Sequence, residues 1–251
     1  MSEIDVLKLN LKGSASSKRK QPLSAVVLIS GGGSNLQALI DQTQQGLLNL
    51  KIRAVISNRP DVQGLKRARR AGIAALTIDH RGFFSRAEFE AALAQAIDDC
   101  DAQLIILAGF MRVLGTDFVN RYPGRMINLH PSLLPKYPGL HTYRRALEAG
   151  DSEHGASIHF VTAELDGGPV IAQARIPIHA TDDEHSLQQR LSPVEHRLLV
   201  AVVGYLATGR LSCHNGRVCL DSNALSQPLE LVNEQDLALS TSHAATEQRQ
   251  P

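Results

Sequence analysis

The residues best equipped for chemistry lie in the stretch Met126-Ile127-Asn128-Leu129-His130-Pro131-Ser132-Leu133-Leu134-Pro135. Side chains alternate along a β-strand, so a strand here puts Asn128 and His130 on one face and Ile127 and Leu129 on the other. Pro131 has no backbone N–H and ends the ladder, which fixes a carboxamide and an imidazole side by side at a strand's carboxyl end. In open α/β sheets ligands bind at such ends. A carboxylate that could join them is Asp166, in Glu164-Leu165-Asp166-Gly167-Gly168-Pro169. Asp-Gly between apolar runs is also a hairpin signal, so Asp166 reads either as a turn former or as a partner for His130.

A second candidate site is Gly31-Gly32-Gly33-Ser34-Asn35, between the apolar run Leu23–Ser30 and a helical pattern beginning at Leu36. A glycine turn feeding a helix start exposes free N–H groups and the positive end of the helix dipole, a setting for an anion. The alternative is a tight turn with Ser34 as the helix cap. Leu36 stands where a dinucleotide fingerprint needs its third glycine, and the next strand, Ile52–Ile56, ends in Ser57-Asn58-Arg59 with no acid for a ribose. The pattern therefore suits a mononucleotide-sized ligand better than a dinucleotide.

These groups are carried by strands alternating with helices. Strands are predicted over 23–30, 52–56, 74–78, 104–108, 126–130, 157–161 and 170–176, with helices over 36–40 and beyond, 64–71, 85–98, 142–149 and 186–207. That alternation predicts an α/β fold built on a mostly parallel sheet. A small hairpin is expected around His214-Asn215-Gly216. Residues 1–22 read as a disordered tail, 23–222 as one domain, and 223–251 as a loose tail. The cluster Lys66, Arg67, Arg69 and Arg70 reads as a solvated helix face.

The 251 residues carry a net charge of +1, so an acidic ligand must be held by local donors, and nucleic acid is not an expected partner. No apolar run reaches bilayer length and no signal-peptide core is present, so no membrane partner is expected. Three cysteines without metal-type pairing suit a reducing, cytoplasmic setting, and no metal is expected. His141, His154 and His159 read as structural histidines.

Together, Ser30-Gly31-Gly32-Gly33-Ser34-Asn35-Leu36, Ala108-Gly109-Phe110-Met111-Arg112, Asn128 through Gly139, and Leu165-Asp166-Gly167-Gly168-Pro169 resemble the folate-dependent formyltransferases, and within them the glycinamide ribonucleotide branch. The resemblance runs from about residue 23 to about 212. It implies a Rossmann-like sheet with helices on both faces, a nucleotide-binding half over about 23–122 and a folate and catalytic half over about 123–222. It further implies formyl transfer from 10-formyltetrahydrofolate to the amine of phosphoribosylglycinamide, with Asn128, His130 and Asp166 as the catalytic three. Gly33, Ser34, Asn35, Ser192 and Glu195 would then bind the nucleotide. Arg86, Met111, Arg112, Val113, Leu114, Asn128, Thr162, Ala163, Glu164, Leu165 and Asp166 would meet the folate.

The chain departs from the family at Ser192, where a Gln is expected, and at Pro193 inside the late helix. A protonated His130 would serve as a charged donor, with Asp166 favouring that state. Monomer and homodimer are both open. Methionyl-tRNA formyltransferase and formyltetrahydrofolate hydrolase share the Asn-x-His and Asp arrangement, but each is expected to carry a further domain. A nicotinamide oxidoreductase is opposed by the broken fingerprint, and a non-catalytic binding module would have no need of His130.

Overall fold

A computed structural model of the chain describes residues 21–231. Expectations for residues 1–20 and 232–251 lie outside the described residues. The elements in chain order are β1 (Leu23–Ile29), α1 (Ser34–Gln44), β2 (Leu50–Ser57), α2 (Gln63–Arg70), β3 (Ala74–Thr77), α3 (Arg86–Asp98), β4 (Leu104–Leu107) and α4 (Thr116–Asn120). There follow β5 (Met126–His130), α5 (Thr142–Glu148), β6 (Glu153–Phe160), β7 (Val170–Pro177), α6 (Glu184–Ala207), β8 (Leu211–His214), β9 (Arg217–Leu220), β10 (Asn223–Ala224) and β11 (Leu229–Leu231).

Eight strands form one sheet in the order β11-β7-β6-β5-β4-β1-β2-β3. The run β3 through β5 is parallel, while β6 is antiparallel to both of its neighbours. This is the expected α/β fold. The apolar run of β1 is buried on both faces because helices cover both. Ala25, Val27 and Ile29 join the core beneath α1 and α6, and Val26 and Leu28 the core beneath α3 and α4.

Strand β5 obeys the same alternation. Ile127 and Leu129 enter the α6-side core, and Asn128 and His130 take the opposite face, as the sequence predicts. Pairing of β5 with β6 sets Asn128 opposite His159 and His130 opposite Ser157. The parallel βαβ steps place the carboxyl ends of β1 and β4 next to each other, where chain order reverses direction across the sheet.

Two expectations are corrected. Residues 223–231, read as part of a loose tail, include β10 and β11, and β11 pairs in parallel with β7 through Leu229, Glu230 and Leu231. The basic cluster on α2 is not uniformly solvated. Lys66, Arg69 and Arg70 are exposed, but the Arg67 guanidinium donates to the Gly32 carbonyl at 2.9 Å and to the Gln37 side chain at 3.1 Å. Helix α6 runs unbroken through Pro193, whose ring lies on an exposed position.

Candidate active site

The loop after His130 is fixed by a buried polar network. The Ser157 hydroxyl donates to the Ser132 carbonyl at 2.6 Å and accepts from the Leu134 N–H at 3.0 Å and from Gln173 at 2.9 Å. Gln173 also donates to the Leu134 carbonyl at 2.8 Å. That chain of bonds ties the loop to β6 and β7 and returns the Tyr137 carbonyl to His130, whose Nε2 lies 2.9 Å from it. A carbonyl only accepts, so Nε2 carries a proton and neutral His130 keeps its lone pair on Nδ1.

Asp166 sits in the connection between β6 and β7, with φ 50°, and folds back over β5. The turn reading and the carboxylate reading both hold, because the same residue bends the chain and reaches the ring. Its Oδ2 lies 3.5 Å from His130 Nδ1 and accepts the Gly139 N–H at 2.8 Å. Its Oδ1 accepts from Asn128 Nδ2 at 3.4 Å and lies 3.6 Å from His159 Nε2. Gly168 lets this connection close, since a Cβ there would stand 1.8 Å from the Phe160 carbonyl oxygen.

His159 is a member of the site that the sequence reading assigns to structure alone. Its Nδ1 faces the Phe160 carbonyl at 3.0 Å, which leaves Nε2 to accept from Asn128 Nδ2 at 3.1 Å. Both Asn128 N–H groups are therefore engaged, one firmly by His159 and one over the longer reach to Asp166.

Burial sets the charge states. It pushes His130 below its ordinary pKa, against the Tyr137 carbonyl and the Asp166 charge, which pull upward. Asp166 favours the protonated ring, as the sequence reading expects, but at 5% exposure desolvation outweighs the carboxylate, and the resting ring is neutral near pH 7. Burial also pushes Asp166 up. The Gly139 N–H and the His130 ring pull the other way, so Asp166 ends below the usual carboxylate range and stays charged.

These groups open into a cleft of about 820 Å³. Met111, Arg112, Val113 and Leu114 line one wall, and Thr162, Ala163, Glu164, Leu165 and Asp166 another, with Asn128 and His130 between them. The Met111 wall is tied down at both ends. Ser30 Oγ accepts the Met111 N–H at 2.7 Å and donates to Asn58 at 2.5 Å, and buried Glu90 accepts the Gly115 N–H at 2.7 Å. Arg86 does not line the cleft; it pairs with Glu90 at 3.5 Å beside Gly115.

Gly33, Ser34, Asn35, Ser192 and Glu195 are not among the residues that line the cleft. Gly33 caps α1 at φ 71°, and a Cβ there would stand 2.8 Å from Gly64 Cα, so only glycine fits. Ser34 is the first helical residue and not the cap, and no side chain caps this helix start. Glu195, on α6, is buried, and the Asn35 side chain hydrogen-bonds its carboxylate, joining the glycine loop to the late helix. Ser192 Oγ lies 3.4 Å from His196 Nε2. Among the described residues, no group of His, Cys, Asp and Glu side chains is arranged to hold a metal ion, and no helix is long and apolar enough to cross a membrane.

The site thus sets a fixed amide and imidazole around a shared carboxylate at the mouth of a cleft, the kind of constellation that can stabilise a developing oxyanion. Residues 23–203 match the family described as Formyl transferase, and the chain belongs to that family. Within it, the chain is 50% identical over 203 residues to phosphoribosylglycinamide formyltransferase of Escherichia coli (strain K12), covering 81% of this chain and 96% of that one. The Haemophilus influenzae enzyme of the same name is 41% identical over 199 residues, covering 79% and 94%. The solved structure of phosphoribosylglycinamide formyltransferase from Coxiella burnetii superposes with a TM-score of 0.81 at 52% identity, covering 84% of this chain and 100% of that one.

Proposed function

We propose that this chain transfers the formyl group of 10-formyltetrahydrofolate to the amine of phosphoribosylglycinamide, a step of purine biosynthesis. The observation that carries the reading is Asp166 set 3.5 Å from His130 and 3.4 Å from Asn128 at the cleft. The folate occupies the cleft between Met111–Leu114 and 162–166 as a co-substrate. The half spanning about 23–122 receives the phosphate at the N–H groups of Gly33, Ser34 and Asn35. Glu195 and Ser192 reach the sugar and phosphate from α6.

The amine attacks the formyl carbon and gives a tetrahedral centre with an oxyanion and a cationic nitrogen. Neutral His130 takes the surplus proton on Nδ1, the nitrogen not committed to the Tyr137 carbonyl. The imidazolium so formed is held by Asp166 through Nδ1 and by the Tyr137 carbonyl through Nε2, and its positive charge stabilises the oxyanion beside it. Asn128 adds a neutral donor by redirecting the N–H that reaches Asp166 over 3.4 Å, while His159 anchors the other. Collapse restores the carbonyl, breaks the bond to the folate N10, and passes the proton to that nitrogen. In this reading the partners are two small molecules and no nucleic acid, and the chain works as a monomer or homodimer in the cytoplasm.

The test is direct. Purified protein is mixed with 10-formyltetrahydrofolate and, separately, phosphoribosylglycinamide, methionyl-tRNA or buffer alone, and folate deformylation is followed. Turnover with phosphoribosylglycinamide only is the expected result; turnover in buffer alone, or with the tRNA, overturns the assignment.

A further inference from the structure

Glu195 is a buried carboxylate, 9% exposed, and among the described residues no cation pairs with it. Its hydrogen bonds come from two neutral side chains on two other helices: Asn35 at the start of α1, and Tyr143 on α5, whose phenol donates to Oε1 at 3.5 Å. Burial pushes the Glu195 carboxyl up, and these two donors pull it back toward the ionised form. The Tyr143 ring is itself braced, 5.1 Å from the His154 ring, and its hydroxyl stays protonated because burial raises its pKa. Tyr143 also lines the cleft, whereas Glu195 does not. The phenol thus stands between the catalytic cleft and the carboxylate.

A carboxylate offers about four acceptor positions, and two neutral donors leave the others open to hydroxyl groups. We infer that Tyr143 is a positioning residue for the nucleotide substrate: its hydroxyl holds Glu195 in the orientation that accepts the sugar hydroxyls. The inference rests on the reading that Glu195 binds that substrate. Asn35 fixes the carboxylate from the phosphate side, Tyr143 from the cleft side, so the two ends of the acceptor are registered to each other through one group.

The experiment is a double-variant cycle on the full chain with Tyr143→Phe, Glu195→Gln and the pair. Tyr143→Phe keeps the ring packing against His154 and removes one oxygen. The KM for phosphoribosylglycinamide should rise about tenfold, with kcat and the folate KM within about twofold of the parent. In the Glu195→Gln background the same change should move that KM by less than about twofold, because the phenol acts through the carboxylate. A KM unmoved by Tyr143→Phe, while Glu195→Gln raises it, overturns the inference and leaves the reading of Glu195 standing. Equal effects of Tyr143→Phe in both backgrounds, or a fall confined to kcat, also overturn it. A KM unmoved by Glu195→Gln removes the reading itself and the inference with it.

Discussion

Asp166→Asn isolates the charge on which the proposed proton transfer depends. The carboxamide is nearly the same size and its oxygen can still accept the Gly139 N–H, so the turn should survive. What is lost is a negative charge 3.5 Å from His130 Nδ1, in a pocket where the Asp166 side chain is 10% exposed. Two unit charges at that spacing attract by about 4–5 kcal/mol at an effective dielectric of about 20. The amide dipole retains a part of this, which leaves roughly 3–4 kcal/mol, or a factor on the order of a hundred to a thousand in rate.

The imidazolium exists only after the amine gives up its proton, so the loss belongs in kcat and not in the nucleotide KM. The pH profile carries a sign as well. His130 already sits below its ordinary pKa through burial, and removing the neighbouring negative charge lowers it further. The acid limb of kcat/KM, where the base is lost to protonation, should therefore move to lower pH in the variant. Steady-state deformylation across pH 5–9 reads both quantities in one assay. A variant within tenfold of the parent, or an acid limb displaced upward, refutes the reasoning.

Three further outcomes follow from the same geometry. Asn128→Ala removes a donor aimed at the oxyanion and should lower kcat by a factor on the order of a hundred to a thousand, with nucleotide affinity measured by calorimetry changed less than about threefold. His154 is buried and its pKa is lowered to about 4, chiefly by burial, so the unfolded chain takes up a proton below pH 6.5 that the folded chain refuses. Stability held above pH 6.5 is therefore lost as pH falls toward 4. His154→Gln should flatten that loss by on the order of 2 kcal/mol, read from urea midpoints at the two pH values. Gly168→Ala drives a Cβ to 1.8 Å from the Phe160 carbonyl and should cost at least about 3 kcal/mol or abolish soluble protein.

The central strands were legible because burial on both faces leaves unbroken apolar runs, as in Ala25–Ile29 and Leu104–Leu107. The first half of β6 was not, since Glu153-His154-Gly155 reads as a polar loop until the sheet supplies its pairing with β7. Helix α4 has only five residues and β11 three, too short for any periodicity to register.

At the site, Asn128 and His130 announced themselves through strand alternation stopped by Pro131. His159 did not, because its role comes from cross-strand register, which brings it opposite Asn128 from 31 residues away. Tyr143, Glu90, Ser30 and Arg67 share that character. Each matters through a partner on another element, and no local pattern marks such a pair. The resting charge of His130 was likewise beyond the sequence, since it depends on how far burial exceeds the pull of Asp166.

The claim at the centre is that His130 rests neutral, with its proton on Nε2, and becomes an imidazolium only when the tetrahedral centre forms. Nitrogen-15 NMR of the histidine-labelled chain near pH 7 measures this directly, free and bound to a stable adduct joining the two substrates. His130 should show one protonated and one bare nitrogen when free, and two protonated nitrogens in the complex. A doubly protonated ring in the free chain, or a bare Nδ1 in the complex, would contradict the account.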